Sequence, residues 1–168
     1  MLHDAPIDLH DHHPEWAAWF DREAERIRQV LGDRAVVLEH TGSTSVPGLA
    51  AKPIIDITMG VPDSADEAAY VPAMAAAGYV LRIREPDWFE HRLLKGPDTN
   101  INLHVFSAGS PEITRMLAFR DHLRTDEADR KLYERTKREL AARTWTYVQD
   151  YADAKSEVVA DIMRRAMP

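Results

Sequence analysis

One carboxylate inside an apolar strand constrains this chain more than any other feature. Lys52-Pro53-Ile54-Ile55-Asp56-Ile57-Thr58-Met59 reads as a buried strand. Period two puts Ile54, Asp56 and Thr58 on one face and Ile55, Ile57 and Met59 on the other. An acid there is costly to bury unless it is paired, protonated or bound to a metal. Asp56 therefore either caps the loop or pairs with Lys52 or an arginine, or it faces a functional cleft. The preceding segment supplies a reason for a cleft. Ala35-Val36-Val37-Leu38-Glu39 is β-branched and apolar, and Gly42 ends it. Gly42 tolerates positive φ and the close approach of another group. Ser43, Thr44 and Ser45 offer hydroxyls, and their backbone N–H groups can line an anion-binding concavity. Pro47-Gly48 is a second turn signal. A phosphate-sized cradle beside a metal-capable carboxylate makes nucleotide chemistry the first hypothesis. Two residues on, where a second carboxylate would help to hold the metal, stands Thr58.

The rest of the chain reads as strands alternating with helices, then helices alone. His12-His13-Pro14 begins a helix, with Asp11 or His12 near the cap. Trp16, Trp19, Phe20, Ile27, Val30 and Leu31 recur at helical spacing before Gly32. The cluster Asp8, His10, Asp11, His12 and His13 reads as an exposed terminal segment plus a cap rather than a metal site. Ala65 to Ala77 reads as a helix bent near Pro72 and ended by Gly78. Tyr79 to Ile83 is a predicted strand, and Glu85-Pro86-Asp87 a turn. Trp88 to Leu94 and Ile101 to Phe106 read as an antiparallel pair around a polar loop. Ser110 caps a helix running to about Leu123, Asp126 begins another through Ala142, and Thr144 or Thr146 caps a last one. About five strands in one mixed sheet result.

Composition narrows the function classes. The chain has 168 residues, enough for one domain with a sizeable core, and no linker separates two units, so residues 1–168 read as a single domain. Its apolar runs are too short to span a bilayer, and the first residues lack a signal-peptide pattern. It has no cysteine, which excludes disulfides and thiolate zinc sites and fits a reducing, cytoplasmic setting. A formal charge of −7 disfavours bulk nucleic-acid binding, while leaving room for a local basic pocket.

The candidate ligands are basic groups and histidines. Arg120 and Arg124 lie four apart on a predicted helix, so they share a face. Guanidinium forks suit phosphate oxygens; a solvated face paired with nearby acids is the plainer alternative. Lys155 falls near the apolar stripe of the last helix, either snorkelling or pointing into a cleft. Lys52, at the mouth of the Asp56 strand, is a further phosphate candidate. His104 points away from the apolar face made by Ile101, Leu103 and Val105, and histidine as a residue type titrates near neutral pH. His91 sits in the neighbouring predicted strand, and His40 just before the Gly-Ser turn.

The run His40 to Ile57 resembles the signature of the GrpB-like family of the nucleotidyltransferase superfamily. The resemblance continues through Phe89-Glu90-His91-Arg92, Asn102-Leu103-His104-Val105-Phe106 and Phe119-Arg120-Asp121-His122-Leu123-Arg124, and ends with Tyr151 and Lys155. It implies an α/β (α+β) fold: a nucleotidyltransferase-like mixed sheet with packed helices and a helical C-terminal part. Some members resemble this chain fused behind a coenzyme A biosynthetic kinase, which points to nucleotides. Carried over residue by residue, Gly42 and Ser43 match the superfamily's Gly-Ser pair and Asp56 its first acid. Thr58 stands where the second acid would be, and Asn102 and His104 stand on the strand of the third. Two-metal transfer needs bridging carboxylates. One acid leaves a single Mg²⁺ shared with ligand phosphates, or a transition metal held by Asp56 and His104.

The expected function is binding of a nucleotide or other phosphorylated small molecule, with metal-assisted transfer as its catalytic form. Gly42, Ser43, Thr44, Lys52, Arg120, Arg124 and Lys155 would bind phosphate, and Asp56 and His104 would serve as metal ligands and catalytic groups. A degenerate regulatory module, a single-metal hydrolase and a protein-recruiting scaffold are the alternatives.

Overall fold

The computed structural model describes residues 8–143 and 148–168. The first helix, α1 (Glu15–Leu31), buries Trp16, Ala24, Ile27 and Leu31 along one stripe. Gly32, with φ of 55°, closes it and donates its N–H to the Arg28 carbonyl. The start differs from expectation: Pro14 occupies the cap, and the ring of His13 accepts the Glu15 N–H at 3.1 Å. The segment before it is anchored too. His10 bridges the backbone of Ala51 in antiparallel fashion, so this stretch is not simply an exposed end.

Strands β1 (Val37–Thr41), β2 (Ile55–Val61), β3 (Val80–Glu85), β4 (His91–Lys95) and β5 (Ile101–Ser107) form one sheet in the order β1-β2-β5-β4-β3. Only the β2–β5 pair is parallel. Its register sets Asp56 beside Asn102 and Thr58 beside His104. Strands β2 and β4 start three residues later than predicted. Pro53 has no N–H to give a ladder, and Ile54 closes a turn onto Lys52, so β2 begins at Ile55. Trp88 to Glu90 form a tight turn instead of strand, with Phe89 and Glu90 at φ of 53° and 52°. The predicted bent helix is also shorter. Glu67–Ala69 is a 3₁₀ turn, and α2 spans Val71–Ala76 with Pro72 in its first turn, because proline starts a helix more readily than it continues one.

Each face of the sheet has its own cover. Ile55, Ile57, Met59, Leu94, Ile101, Leu103 and Val105 form the main core with Trp16, Ile27 and Leu31 of α1 and Met74 of α2. Each such side chain contributes about 1.5–3 kcal/mol through burial. The other face carries Asp56, Thr58, Asn102 and His104 and meets the C-terminal helices α3 (Pro111–Thr125), α4 (Glu127–Ala141) and α5 (Val148–Ala166). Ser110 and Asp126 cap α3 and α4 through their side chains. The predicted Thr144 or Thr146 cap of α5 lies outside the described residues. Val46 and Leu49, from the loop after the Gly-Ser turn, pack with Leu123, Tyr133 and Ile162 of α3, α4 and α5. That small apolar cluster clamps residues 43–50 between the sheet and α4, and so sets the geometry of the site.

Candidate functional site

Gly42 has φ of 69°, and a Cβ there would overlap the Asp56 carboxylate. The glycine is therefore required twice, for its backbone conformation and for clearance of Asp56. Ser43–Ser45 then form a 3₁₀ turn. Its first two side chains diverge. Ser43 faces a cavity of about 110 Å³ that Asp56, Asn102, Lys52, Lys137 and Lys155 also line. Thr44 turns inward, sharing a 2.9 Å hydrogen bond with the His40 ring and donating to the Ile54 carbonyl.

Three lysines from three segments converge on this cavity. Lys137 of α4 is only 4 % exposed. Its ammonium donates to Ser43 Oγ at 2.8 Å and to the Ala50 carbonyl at 2.9 Å. Burial, followed by the charge of Lys155, pushes its pKa down to about 7; Glu134 and Asp56 act in the opposite direction. Lys52 and Lys155 flank the Tyr151 ring, with Nζ at 5.2 and 5.5 Å from its centre. Burial and Lys155 lower Lys52 as well. Lys95 donates to Asn102 Oδ1 at 2.6 Å and fixes that amide at the cavity edge. Among the described residues, Asp56 is thus the single carboxylate lining a cavity with three lysines.

Behind Asp56 runs a hydrogen-bonded chain. Asp56 Oδ1 meets His104 Nε2 at 3.2 Å, His104 Nδ1 meets His91 Nε2 at 3.0 Å, and His91 Nδ1 meets Glu85 Oε1 at 2.8 Å. Ionised carboxylates only accept, so both outer nitrogens carry protons, and the central bond needs one more. Burial lowers the pKa of His91, helped by His104 and opposed by Glu85. The strained turn at Phe89 and Glu90 is what returns the chain from Glu85 to His91.

Of the predicted phosphate set, Ser43, Lys52 and Lys155 come together with Asp56, and Gly42 packs on its carboxylate. Thr44, Arg120 and Arg124 lie elsewhere. Arg120 is buried against Glu39, Asp121 and the His40 carbonyl. Arg124 donates to the Ser45 carbonyl and lines a separate recess with His40, Thr44, Pro47 and Arg130. Burial, and next Arg124, push His40 down to about 4, so it is neutral at pH 7. Thr58 shares the Asp56 face but is fully buried, bonded to Thr41 Oγ1 at 2.8 Å beneath Met116. His104 holds Asp56 from behind and is not among the cavity-lining residues.

The expected metal pair, Asp56 and His104, lies within 3.2 Å, and a second group of metal-ligating types occurs on the C-terminal helices. Among the described residues, His122, Asp126 and Asp129 bring three ligand atoms within 4.8 Å of one another. Arg165 grips both oxygens of Asp129 at 2.8 and 2.7 Å, however, and His122 bonds to it at 2.6 Å. Arg165 heads the causes that hold Asp129 near 2. A cation there would have to displace a guanidinium, so the residues fit an interhelical ion pair better than a metal.

The sequence reading missed Lys137 and Glu85. Lys137 did leave a signal, since it recurs with Tyr133 and Leu140 on the buried stripe of α4, where a lysine is out of place. Glu85 left none, because its role depends on a turn geometry that propensity does not reveal.

Similarity to known proteins follows the same architecture. The sequence model described as GrpB protein matches residues 6–165. A UPF0157 protein of Halalkalibacterium halodurans is 63 % identical over 164 residues, covering 98 % of this chain and 84 % of the relative. A crystal structure of conserved protein GrpB from Enterococcus faecalis superposes with a TM-score of 0.81 at 27 % identity, over 96 % of this chain and all of that one. A dephospho-CoA kinase of Mycolicibacterium paratuberculosis is 29 % identical over 188 residues, covering 96 % of this chain but 46 % of the kinase. Among the described residues, no helix is long and apolar enough to cross a membrane.

Proposed function

The chain belongs to the GrpB family, and we propose that it binds a phosphorylated small molecule, a nucleotide in the fullest form of the reading, by its phosphate end. The convergence of Lys52, Lys137 and Lys155 on one cavity with, among the described residues, a single carboxylate carries this reading. Like charges are held together at a cost that an anion removes. Pockets for whole drug-sized ligands run to about 300–1,000 Å³. A cavity of about 110 Å³ therefore suits the anionic end group, with the remainder lying at its mouth. The likeness to part of a dephospho-CoA kinase supports a nucleotide-related ligand. Ser43, Lys52 and Lys155 would hold phosphate oxygens, with Lys137 behind Ser43, and Asn102 would orient them. Asp56 would share one divalent cation with the ligand's phosphates, which supply the remaining oxygen ligands.

Two-metal nucleotidyl transfer has less support. It needs a second carboxylate at the position of Thr58, which lies under Met116 and away from the cavity. Thr44, Arg120 and Arg124 are best read as bracing the turn from its other side.

Calorimetric titration with inorganic pyrophosphate and with nucleoside triphosphates tests the proposal. Lys155→Ala is expected to weaken binding by roughly 1.5–3 kcal/mol, the scale of one charge-assisted hydrogen bond. Absence of binding to the native protein, or unchanged affinity in Lys155→Ala, would remove the cavity as the site.

A further inference from the structure

Ser43 and Lys137 make a pair that anion binding alone does not explain. An ammonium that only attracts phosphate is best placed at the mouth of a cavity, where water solvates it. Lys137 instead is buried on α4 with its head held between Ser43 Oγ at 2.8 Å and the Ala50 carbonyl at 2.9 Å. That arrangement suits a neutral amine. In that form one N–H would stay on the Ala50 carbonyl, and the lone pair would accept the serine hydroxyl proton across the same 2.8 Å. Ser43 follows Gly42, whose φ of 69° makes the sharp turn that leaves Oγ half-exposed to the cavity.

We propose that Ser43 is a nucleophile and Lys137 its general base, and that together they cleave an ester of an anionic small molecule whose charged end rests on Lys52 and Lys155. The placement of that charged end rests on the anion-binding reading above. The dyad itself does not.

The step balances without a metal or redox partner. The Lys137 lone pair takes the Ser43 proton while Oγ bonds to the ester carbonyl carbon, and the carbonyl π electrons move onto oxygen beside the ammonium groups. Collapse of that intermediate breaks the bond to the leaving oxygen, which takes the proton from Lys137. Water then attacks the acyl-serine while Lys137 accepts its proton; the bond to Oγ breaks, Oγ takes that proton from Lys137, and the acid leaves with Ser43 and the neutral amine restored. The sum is ester plus water giving acid plus alcohol.

The surroundings of Lys137 agree with a base at neutral pH. Lys155 of α5 and Lys52 before β2 favour its neutral form, whereas Glu134 of α4 and Asp56 of β2 oppose them. Burial outweighs all four and brings the group to about 7. The Tyr133 ring, 5.1 Å from Nζ, closes the side toward α4. Glu134 Oε1 accepts the Ala50 N–H at 2.7 Å and so holds in place the segment whose carbonyl orients the amine.

Intact-mass labelling with an uncharged alkyl fluorophosphonate tests the dyad, because that probe needs no anion site. One adduct per chain is expected, mapped to Ser43, forming at a rate that rises with pH and levels off above about 7. Lys137→Met should slow it by about 100-fold or more, the usual contribution of a general base. Lys137→Arg, which keeps the charge but cannot act as a base, should slow it equally. No adduct on the native protein, an adduct elsewhere, or a rate flat across pH 5–9 overturns the proposal, and these readouts do not depend on the variants folding. Pyrophosphate binding without labelling would sink the dyad and leave the anion site standing. Labelling without pyrophosphate binding would do the reverse.

Discussion

Lys137 shows how a single residue can be badly placed for stability and well placed for chemistry. Its pKa falls from an unfolded value of 10.5 to about 7 in the fold. The unfolded chain thus takes up the proton at a higher pH than the folded one. A depressed pKa means that stability is fully present above 10.5 and declines as pH falls toward about 7, with no further change below. Denaturant unfolding from pH 10.5 down to 6 should show Lys137→Met losing less stability than the native protein across that window. Parallel curves would mean that Lys137 is not perturbed. Thr58 makes the opposite case. Its hydroxyl is bonded to Thr41 and roofed by Met116, so Thr58→Asp would bury an unpaired carboxylate. That substitution is expected to cost roughly 3–5 kcal/mol and to leave Mg²⁺ affinity unchanged. Tighter Mg²⁺ binding at native stability would put Thr58 back in the cleft. Sharing a strand face with Asp56 was legible from period two; the cover that α3 lays over Thr58 was not, because periodicity says nothing of what packs above a strand.

At the scale of elements, what the sequence revealed was local and periodic. β2 and β5 stood out as apolar runs, and their parallel pairing carries Asp56 and His104 to adjacent strands. α3 and α4 were legible through the caps Ser110 and Asp126. Where tertiary contacts override propensity, the reading failed. Trp88-Phe89-Glu90 has aromatic strand character, yet Trp88 leaves the ladder to pack edge-to-face on His91 and Phe106. The Glu90 carbonyl is held by Ser64 and Arg92 instead. The arginine pair misled for a similar reason. Arg120 and Arg124 do share a side of α3, but that side meets β1 and the turn at Ser45, where Glu39 and two backbone carbonyls satisfy them. The strained turn is testable. A non-glycine residue at positive φ costs about 1–2 kcal/mol, and Phe89 is exposed, with only its neighbour Trp88 as an aromatic contact. Phe89→Gly should therefore raise the unfolding midpoint by an amount worth about 1 kcal/mol. A lowered midpoint would show that the ring contributes more than the backbone strain costs.

For the whole molecule, charge is the organising quantity. The chain carries a formal −7, yet three lysines are gathered around one cavity whose only lining carboxylate among the described residues is Asp56. The role of that carboxylate decides between two ways of holding an anion. If phosphate is bound by the ammonium groups alone, Asp56 repels it, and Asp56→Asn should tighten pyrophosphate binding. At a separation of about 5 Å and an effective dielectric of about 20, the gain is on the order of 3 kcal/mol per unit charge. If a divalent cation bridges Asp56 and the phosphate, the same change removes an ionic ligand and should weaken binding whenever Mg²⁺ is present. Because both groups act in one cavity, the expected result is a reversal of sign: tighter binding in EDTA and weaker binding in Mg²⁺. The hydrogen bond from His104 should survive the substitution, since an amide oxygen still accepts it, so the His104–His91–Glu85 chain is preserved and the comparison reports charge rather than collapse. Tightening of equal size with and without Mg²⁺ would assign Asp56 to repulsion and exclude it as a metal ligand. Weakening in EDTA would show that the carboxylate holds its lysine neighbours in place for the anion, and that the cavity's charge is balanced by structure before any ligand arrives.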